Sequence, residues 1–184
     1  MATRGADTRA RLLDSAELVV DRVGAARLTL EAIAEEAGVS KGGLLYHYAS
    51  KDALIAAMLD RRFARFDETR HAHLAADPGV RGRKTRAYLH ATAQEARPEA
   101  AAGLLAAVAS NQSLLRPLQD RYAHWQADLE DDGGLSLEAA TLLRLVADGL
   151  WLSELMGFAP PKGPLRDQVL ALASRLSRPA PGEE

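Results

Sequence analysis

Thr29, Ser40, Lys41, Gly42, Gly43, Tyr46, His47 and Lys51 stand close together in the chain and bring mostly hydrogen-bond donors. Hydroxyl, ammonium, phenol and imidazole groups surround a Gly-Gly pair that brings no side chain at all. Donors around bare backbone suit the binding of anions, above all phosphates. The start of a helix adds its own preference for negative charge.

Other chemistries find less support. His71 and His73 invite a metal reading, but residues two apart on a helix diverge and cannot hold one ion. The chain has no Cys, which removes disulfides, Cys-based zinc sites and thiol catalysis together. Gly42-Gly43 is no phosphate loop, because neither G-x-x-x-x-G-K nor G-x-G-x-x-G occurs. No Ser-His-Asp arrangement can be argued from spacing. The expectation is therefore a non-enzyme without metal or cofactor.

The elements that must position these residues are helical. Ala, Leu, Glu and Arg dominate between breakers, and strand signals are nearly absent. Breakers at Gly24, Gly38, Asp77-Pro78-Gly79, Pro98, Gly133-Gly134, Pro160-Pro161 and Gly163-Pro164 divide the chain into about nine helices. The first runs from about Asp7 to Val23, with Leu12, Leu13, Ala16, Val19, Val20 and Val23 as one apolar stripe. Its Arg9, Asp14, Glu17 and Asp21 read as a solvated face.

Thr29 caps a second helix to about Glu36, and Ser40 caps a third from Lys41 to Tyr48. Gly38 takes the positive φ that ends the second helix. Ser50 caps a long fourth helix from Lys51 to about Ala75. Two short helices joined by a Gly-containing turn make a helix-turn-helix. Ile33 and Ala37 face its core, a small Ala34 lets the helices cross, Val39 plugs underneath, and Leu44 anchors the third helix.

The segment Thr29 to Leu54, TLEAIAEEAGVSKGGLLYHYASKDAL, resembles the DNA-binding segment of TetR/AcrR-type transcriptional regulators. The match rests on the Ala-Gly-Val-Ser turn, the Tyr-His pair and the Ser-Lys start of the following helix. Overall length and the all-helical layout extend the similarity in architecture. The resemblance implies an all-α fold with an N-terminal three-helix DNA-binding domain and a C-terminal ligand-binding and dimerisation domain. It implies a homodimer that binds a palindromic double-stranded operator, most simply as a repressor released by a small effector. Many members carry Tyr where this chain has Leu45. Either Tyr46 makes that phosphate contact from a shifted direction, or the contact is lost.

In this reading Thr29 and Lys51 hold phosphates, which fix register. Lys41 and the edge near Gly42 and Gly43 face bases in the major groove, among Ser40, Tyr46 and His47. Met1 to Lys51 holds seven basic and seven acidic residues. Binding must then rest on segregation, with Lys41, Lys51, Arg4 and Arg9 toward the duplex and Glu35 and Glu36 away from it. A modest phosphate count per subunit calls for a dimer. Leu45 and this neutral balance also support an alternative, a ligand sensor or protein-interaction module that has lost DNA binding.

The middle helices, about Val80 to Glu130, are expected to form a ligand chamber. The candidate lining residues are Met58, Phe66, His90, Leu104, Val108, Asn111, Gln112, Leu115, Tyr122 and Trp125. Mostly apolar walls with few polar anchors suit a lipophilic effector. Ala100 to Ala109 reads as a buried core helix, and Pro117 starts or kinks the helix that follows. Glu138 to Met156 and Leu165 to Leu176 are too apolar for a monomer surface. Leu142, Leu145, Trp151, Leu152, Leu155, Val169 and Leu172 are the candidates for a dimer interface.

The chain has 184 residues, 47% of them hydrophobic and 26% charged, with a formal net charge of −2. These values suit a folded chain and exclude a polycation that coats nucleic acid. The expected division is residues 1–50, 51–178 and a disordered tail, 179–184. A polar start with no apolar segment behind it reads as having no signal peptide. No run is long enough to span a bilayer, and the expected location is the cytoplasm with no membrane partner.

Overall fold

The computed structural model describes residues 2–24, 27–94, 104, 105, 108, 109 and 111–178, with side chains from Gly5 onward. Among the described residues there are eight named helices: α1 (Ala2–Val23), α2 (Leu30–Glu36), α3 (Lys41–His47), α4 (Lys51–Ala76), α5 (Arg83–Ala93), α6 (Gln112–Asp128), α7 (Leu137–Met156) and α8 (Pro164–Leu176). The all-α expectation stands. The Ala100 to Ala109 run lies mostly outside the described residues, although Leu104, Leu105, Val108 and Ala109 within it are helical. The expected tail, 179–184, lies wholly outside them.

The chain forms two compact units, 1–63 with 97–117 and 64–96 with 118–184, and two of the divisions fall inside α4 and α6. In the first unit, α1 packs on α2 and α2 on α3. Leu12, Ala16, Val19 and Val20 form the buried stripe of α1, around Ile33, Ala34, Leu44, Leu54 and Met58. Val23 departs from that stripe and is exposed, because the helix ends there at Gly24. α1 also begins earlier than expected, since no proline precedes Asp7 to stop it. Its polar side is more than a solvated face. Arg61 of α4 pairs with Asp14, approaches Glu17 at 3.3 Å and donates to the Ala10 carbonyl, fastening α4 to α1.

In the second unit, α5 packs against α7 and α8. Its own N-cap, Gly82, has no side chain to offer, and the cap comes instead from Asp132. That carboxylate accepts from the Lys84 N–H at 2.7 Å, the Thr85 N–H at 2.8 Å and the Thr85 hydroxyl at 2.7 Å. Gly82 sits at φ +70°, and a Cβ there would lie 2.0 Å from the Ser177 carbonyl oxygen. Only glycine fits that close approach. Arg86, one turn along, is buried. It pairs with Asp77 and donates to the carbonyls of Arg81 at 2.7 Å and Gly79 at 3.2 Å. The Arg86 guanidinium holds the Asp77 carboxyl below its usual range.

Pro117 does not start a helix. It sits inside α6, which begins at Gln112 after Asn111 accepts from the Ser113 N–H at 3.0 Å. Ser136 caps α7 through the Ala139 N–H, and Pro164 opens α8 at its first position.

Candidate nucleic-acid interface

The helix-turn-helix closes as its local chemistry dictates. Thr29 accepts from the Ala32 N–H at 3.2 Å, and Ser40 from the Gly43 N–H at 3.0 Å. Each hydroxyl satisfies one of the donors left open at a helix start. Gly38 stands at φ +65°, the left-handed conformation that ends α2 and turns the chain toward α3. The Val39 N–H donates to the Ala34 carbonyl at 2.9 Å, closing the turn. Ile33 and Leu44 are fully buried beneath it, and Val39 and Ala37 are half-buried.

The outer side of α3 is bare. A Cβ on Gly42 would find only the Ser40 hydroxyl, at 3.9 Å, and one on Gly43 would meet that hydroxyl at 3.3 Å. Tyr46 is 86% exposed and its ring lies edge-on to His47 at 5.2 Å. Leu45, in the slot where the resemblance leads one to expect Tyr, is half-buried. Tyr48 turns inward. Its hydroxyl donates to the Arg9 carbonyl at 3.3 Å, and the Arg9 guanidinium lies 4.9 Å from its ring centre. Arg9 is thus engaged with Tyr48, and the Arg4 side chain lies outside the described residues. Ser50 accepts from the Ala53 N–H at 3.0 Å, so Lys51 occupies the first turn of α4. Glu36 pairs with Arg22 at 2.9 Å.

One charged neighbour escaped sequence reasoning. Glu31, in the first turn of α2, pairs with Lys41 of α3 at 2.6 Å, and both side chains are exposed. The ammonium pulls the Glu31 carboxyl below its usual range. The residues are ten apart on different helices, so no periodicity links them. The only signal was that Glu31 shares a helix start with the Thr29 cap.

The expected effector residues divide between the two units. In the first, Met58, Leu104 and Val108 are buried. Asn111 caps α6 and donates to Asp52 at 2.8 Å. Gln112 is exposed and Leu115 half-buried. In the second, Phe66, Tyr122 and Trp125 come together. Trp125 lies 4.6 Å from Phe66 and 5.1 Å from Tyr122, and its indole N–H donates to Asp67 at 2.9 Å. Tyr88, missed in the sequence, completes the cluster at 5.2 Å from Phe66. Its hydroxyl donates to Asp148 at 2.6 Å, and burial pushes both the Tyr88 and Asp148 groups upward. His90 stands apart from these rings and stacks on His73 at 4.2 Å.

Of the expected interface residues, Leu142 and Leu145 are 60% and 53% exposed, and Leu152 and Leu172 are exposed too. Trp151 and Val169 are half-buried. Leu155 differs, because it packs into its own protomer. Among the described residues, no helix is long and apolar enough to cross a membrane.

Residues 12–58 match the family model of bacterial regulatory proteins, tetR family. Residues 82–178, more than half of the chain, match that of the tetracyclin repressor-like C-terminal domain. The chain is 42% identical over 69 residues to the HTH-type transcriptional regulator TtgR of Pseudomonas putida, covering 38% of this chain and 30% of that one. It is 35% identical over 72 residues to the HTH-type transcriptional regulator UidR of Escherichia coli K12, covering 37% of each. The matched stretches thus span about a third of these curated relatives. Among solved structures, the multidrug binding protein EbrR complexed with ethidium has a TM-score of 0.67 at 28% identity, over 92% of this chain and 98% of that one. A TetR transcription regulator from Haloarcula marismortui has a TM-score of 0.72 at 18% identity, over 94% and 97%.

Proposed function

The chain belongs to the TetR family of bacterial regulatory proteins, and on that premise we propose that it is a cytoplasmic, homodimeric, ligand-responsive repressor of transcription. The observation that carries the reading is the outer side of α3. A Ser40-capped helix start presents an exposed Gly42 next to a Gly43 half-covered by Ser40 and Val39, beside Lys41 and a Tyr46 that is 86% exposed. Such a tip lets backbone approach the floor of a major groove while donors on either side reach phosphates and base edges. Thr29 and Lys51, at two other helix starts, supply further phosphate contacts.

Two subunits pair through the exposed leucines of α7 and α8, and the duplex they hold is palindromic, with half-sites a helical turn or more apart. A small lipophilic effector binds in the C-terminal part of the chain. That EbrR, which shares the fold, is a multidrug binding protein complexed with ethidium supports this class. The effector acts by population shift, preferring the arrangement of the two DNA-binding tips that does not fit the operator.

The experiment is selection of bound fragments from genomic DNA by the purified chain. The expected result is a common palindrome. Recovery of no shared sequence would instead support a sensor that has lost its DNA contact.

A further inference from the structure

We infer that Glu31 is a specificity-determining residue, a carboxylate that holds Lys41 and thereby penalises binding to DNA of the wrong sequence. This rests on the DNA-binding reading above and deepens it.

Lys41 opens α3, the helix with the bare tip, and its ammonium is 2.6 Å from the Glu31 carboxylate. Both side chains are more than half exposed, so the pair stands in water and its two ends exchange partners readily. A surface ion pair of this kind is weak. The competitors for the ammonium on a duplex are of two kinds. On any sequence they are backbone phosphates, which supply essentially all of non-specific binding. On a matching sequence they are also base-edge acceptors such as guanine O6 and N7.

Glu31 acts differently on the two. Near a phosphate its charge repels the very group that would take Lys41, so a phosphate contact gains one attraction and incurs one repulsion. A neutral base acceptor in the groove takes the ammonium without that opposition. Glu31 therefore lowers affinity for random DNA more than for the operator. The neutral charge balance of residues 1–51 has a purpose in this account, because sequence must decide binding where net charge does not.

The test is a four-way cycle of the full-length chain: wild type, Glu31→Gln, Lys41→Ala and the double variant. Each is titrated with the genomically selected duplex and with a random duplex between 0.05 and about 0.5 M salt, a range over which phosphate contacts are resolved by slope. With Glu31→Gln, random-duplex affinity should rise by as much as about eightfold per subunit at 0.1 M salt. Its log–log salt slope should steepen by about 0.9 per subunit, the weight of one phosphate contact. Operator affinity should rise less, so the specificity ratio falls. In the Lys41→Ala background, where no ammonium draws a phosphate toward Glu31, the gain from Glu31→Gln should be clearly smaller.

Unchanged or weakened random binding, an unchanged specificity ratio, or an equal gain without Lys41 would each overturn the inference while leaving the DNA-binding reading intact. A wild-type chain that binds neither duplex would overturn both. Glu31 is exposed, so the variant keeps its fold. Its helical circular dichroism and melting midpoint should match wild type.

Discussion

The α2–α3 tip and the start of α5 both depend on helix caps and charged pairs, yet they use them in opposite ways. At the tip, each cap is a hydroxyl three residues before the N–H it accepts from, and the ion pair of Lys41 with Glu31 lies in solvent. At α5, the cap comes from Asp132, 47 residues away, and the pair of Arg86 with Asp77 is buried. A pair in water costs little to open and is free to change partners. A buried pair cannot lose one member without stranding the other. The difference separates surfaces that can exchange contacts with a ligand from those that hold the chain in one shape.

The largest effect should come from stranding a buried charge. Arg86→Leu leaves the Asp77 carboxylate without its guanidinium and frees the carbonyls of Gly79 and Arg81. Urea unfolding should record a loss of about 3–5 kcal/mol. The loss should also depend on pH. Asp77 is depressed in the folded wild type, so its contribution is present above the ordinary carboxylate range and is lost as pH falls through the depressed value. The gap between variant and wild type should narrow on acidification. A gap that stayed constant would show that Asp77 is not the group left stranded.

Asp132→Ala should cost less, about 1–3 kcal/mol, by leaving the Lys84 and Thr85 N–H groups without an acceptor. Hydrogen exchange should speed up at the start of α5 and remain unchanged in α2 and α3. Equal acceleration in both would erase the distinction between the two regions.

At the tip the effects should fall on binding rather than on stability. Lys51→Ala should weaken binding to every duplex and reduce the salt slope by about one unit. Lys41→Ala should do the same and also blur the preference for the selected sequence. Lys41→Ala should not move the melting midpoint by much, since its pair with Glu31 lies in solvent and such pairs contribute about 0.2–1 kcal/mol. Unaltered DNA affinity in both variants would mean that this face is not the one that meets DNA.

How far each region could be read beforehand follows from the same difference. The caps at Thr29, Ser40 and Ser50, the turn at Gly38 and the buried set of Ile33, Ala34 and Leu44 were legible because each is decided within a few residues. The apolar excess of α7 and α8 was legible as composition, and it reappears as exposed leucines. Arg86 with Asp77, Asp132 over α5, Tyr88 with Asp148 and Glu31 with Lys41 were not legible. Each joins residues whose separation carries no helical period, so only the folded chain brings them together. Asn111 shows a related ambiguity. Its amide suits a ligand pocket and a helix cap equally well, and the fold uses it as a cap bonded to Asp52.

Gly42 separates binding from stability most cleanly. Gly42 is exposed and its Cβ position is open, with the Ser40 hydroxyl 3.9 Å away, so the Cβ of Gly42→Leu meets no clash. Leucine is also the better helix former, which should raise stability by about 0.5–1 kcal/mol. Affinity of this one variant for the selected palindrome, measured beside its melting temperature, is the decisive observation. Gly42→Leu should melt higher and lose affinity for the palindrome by at least about tenfold, because the new side chain keeps the backbone off the groove floor. A variant that melts higher and binds the palindrome as tightly as wild type would contradict this expectation.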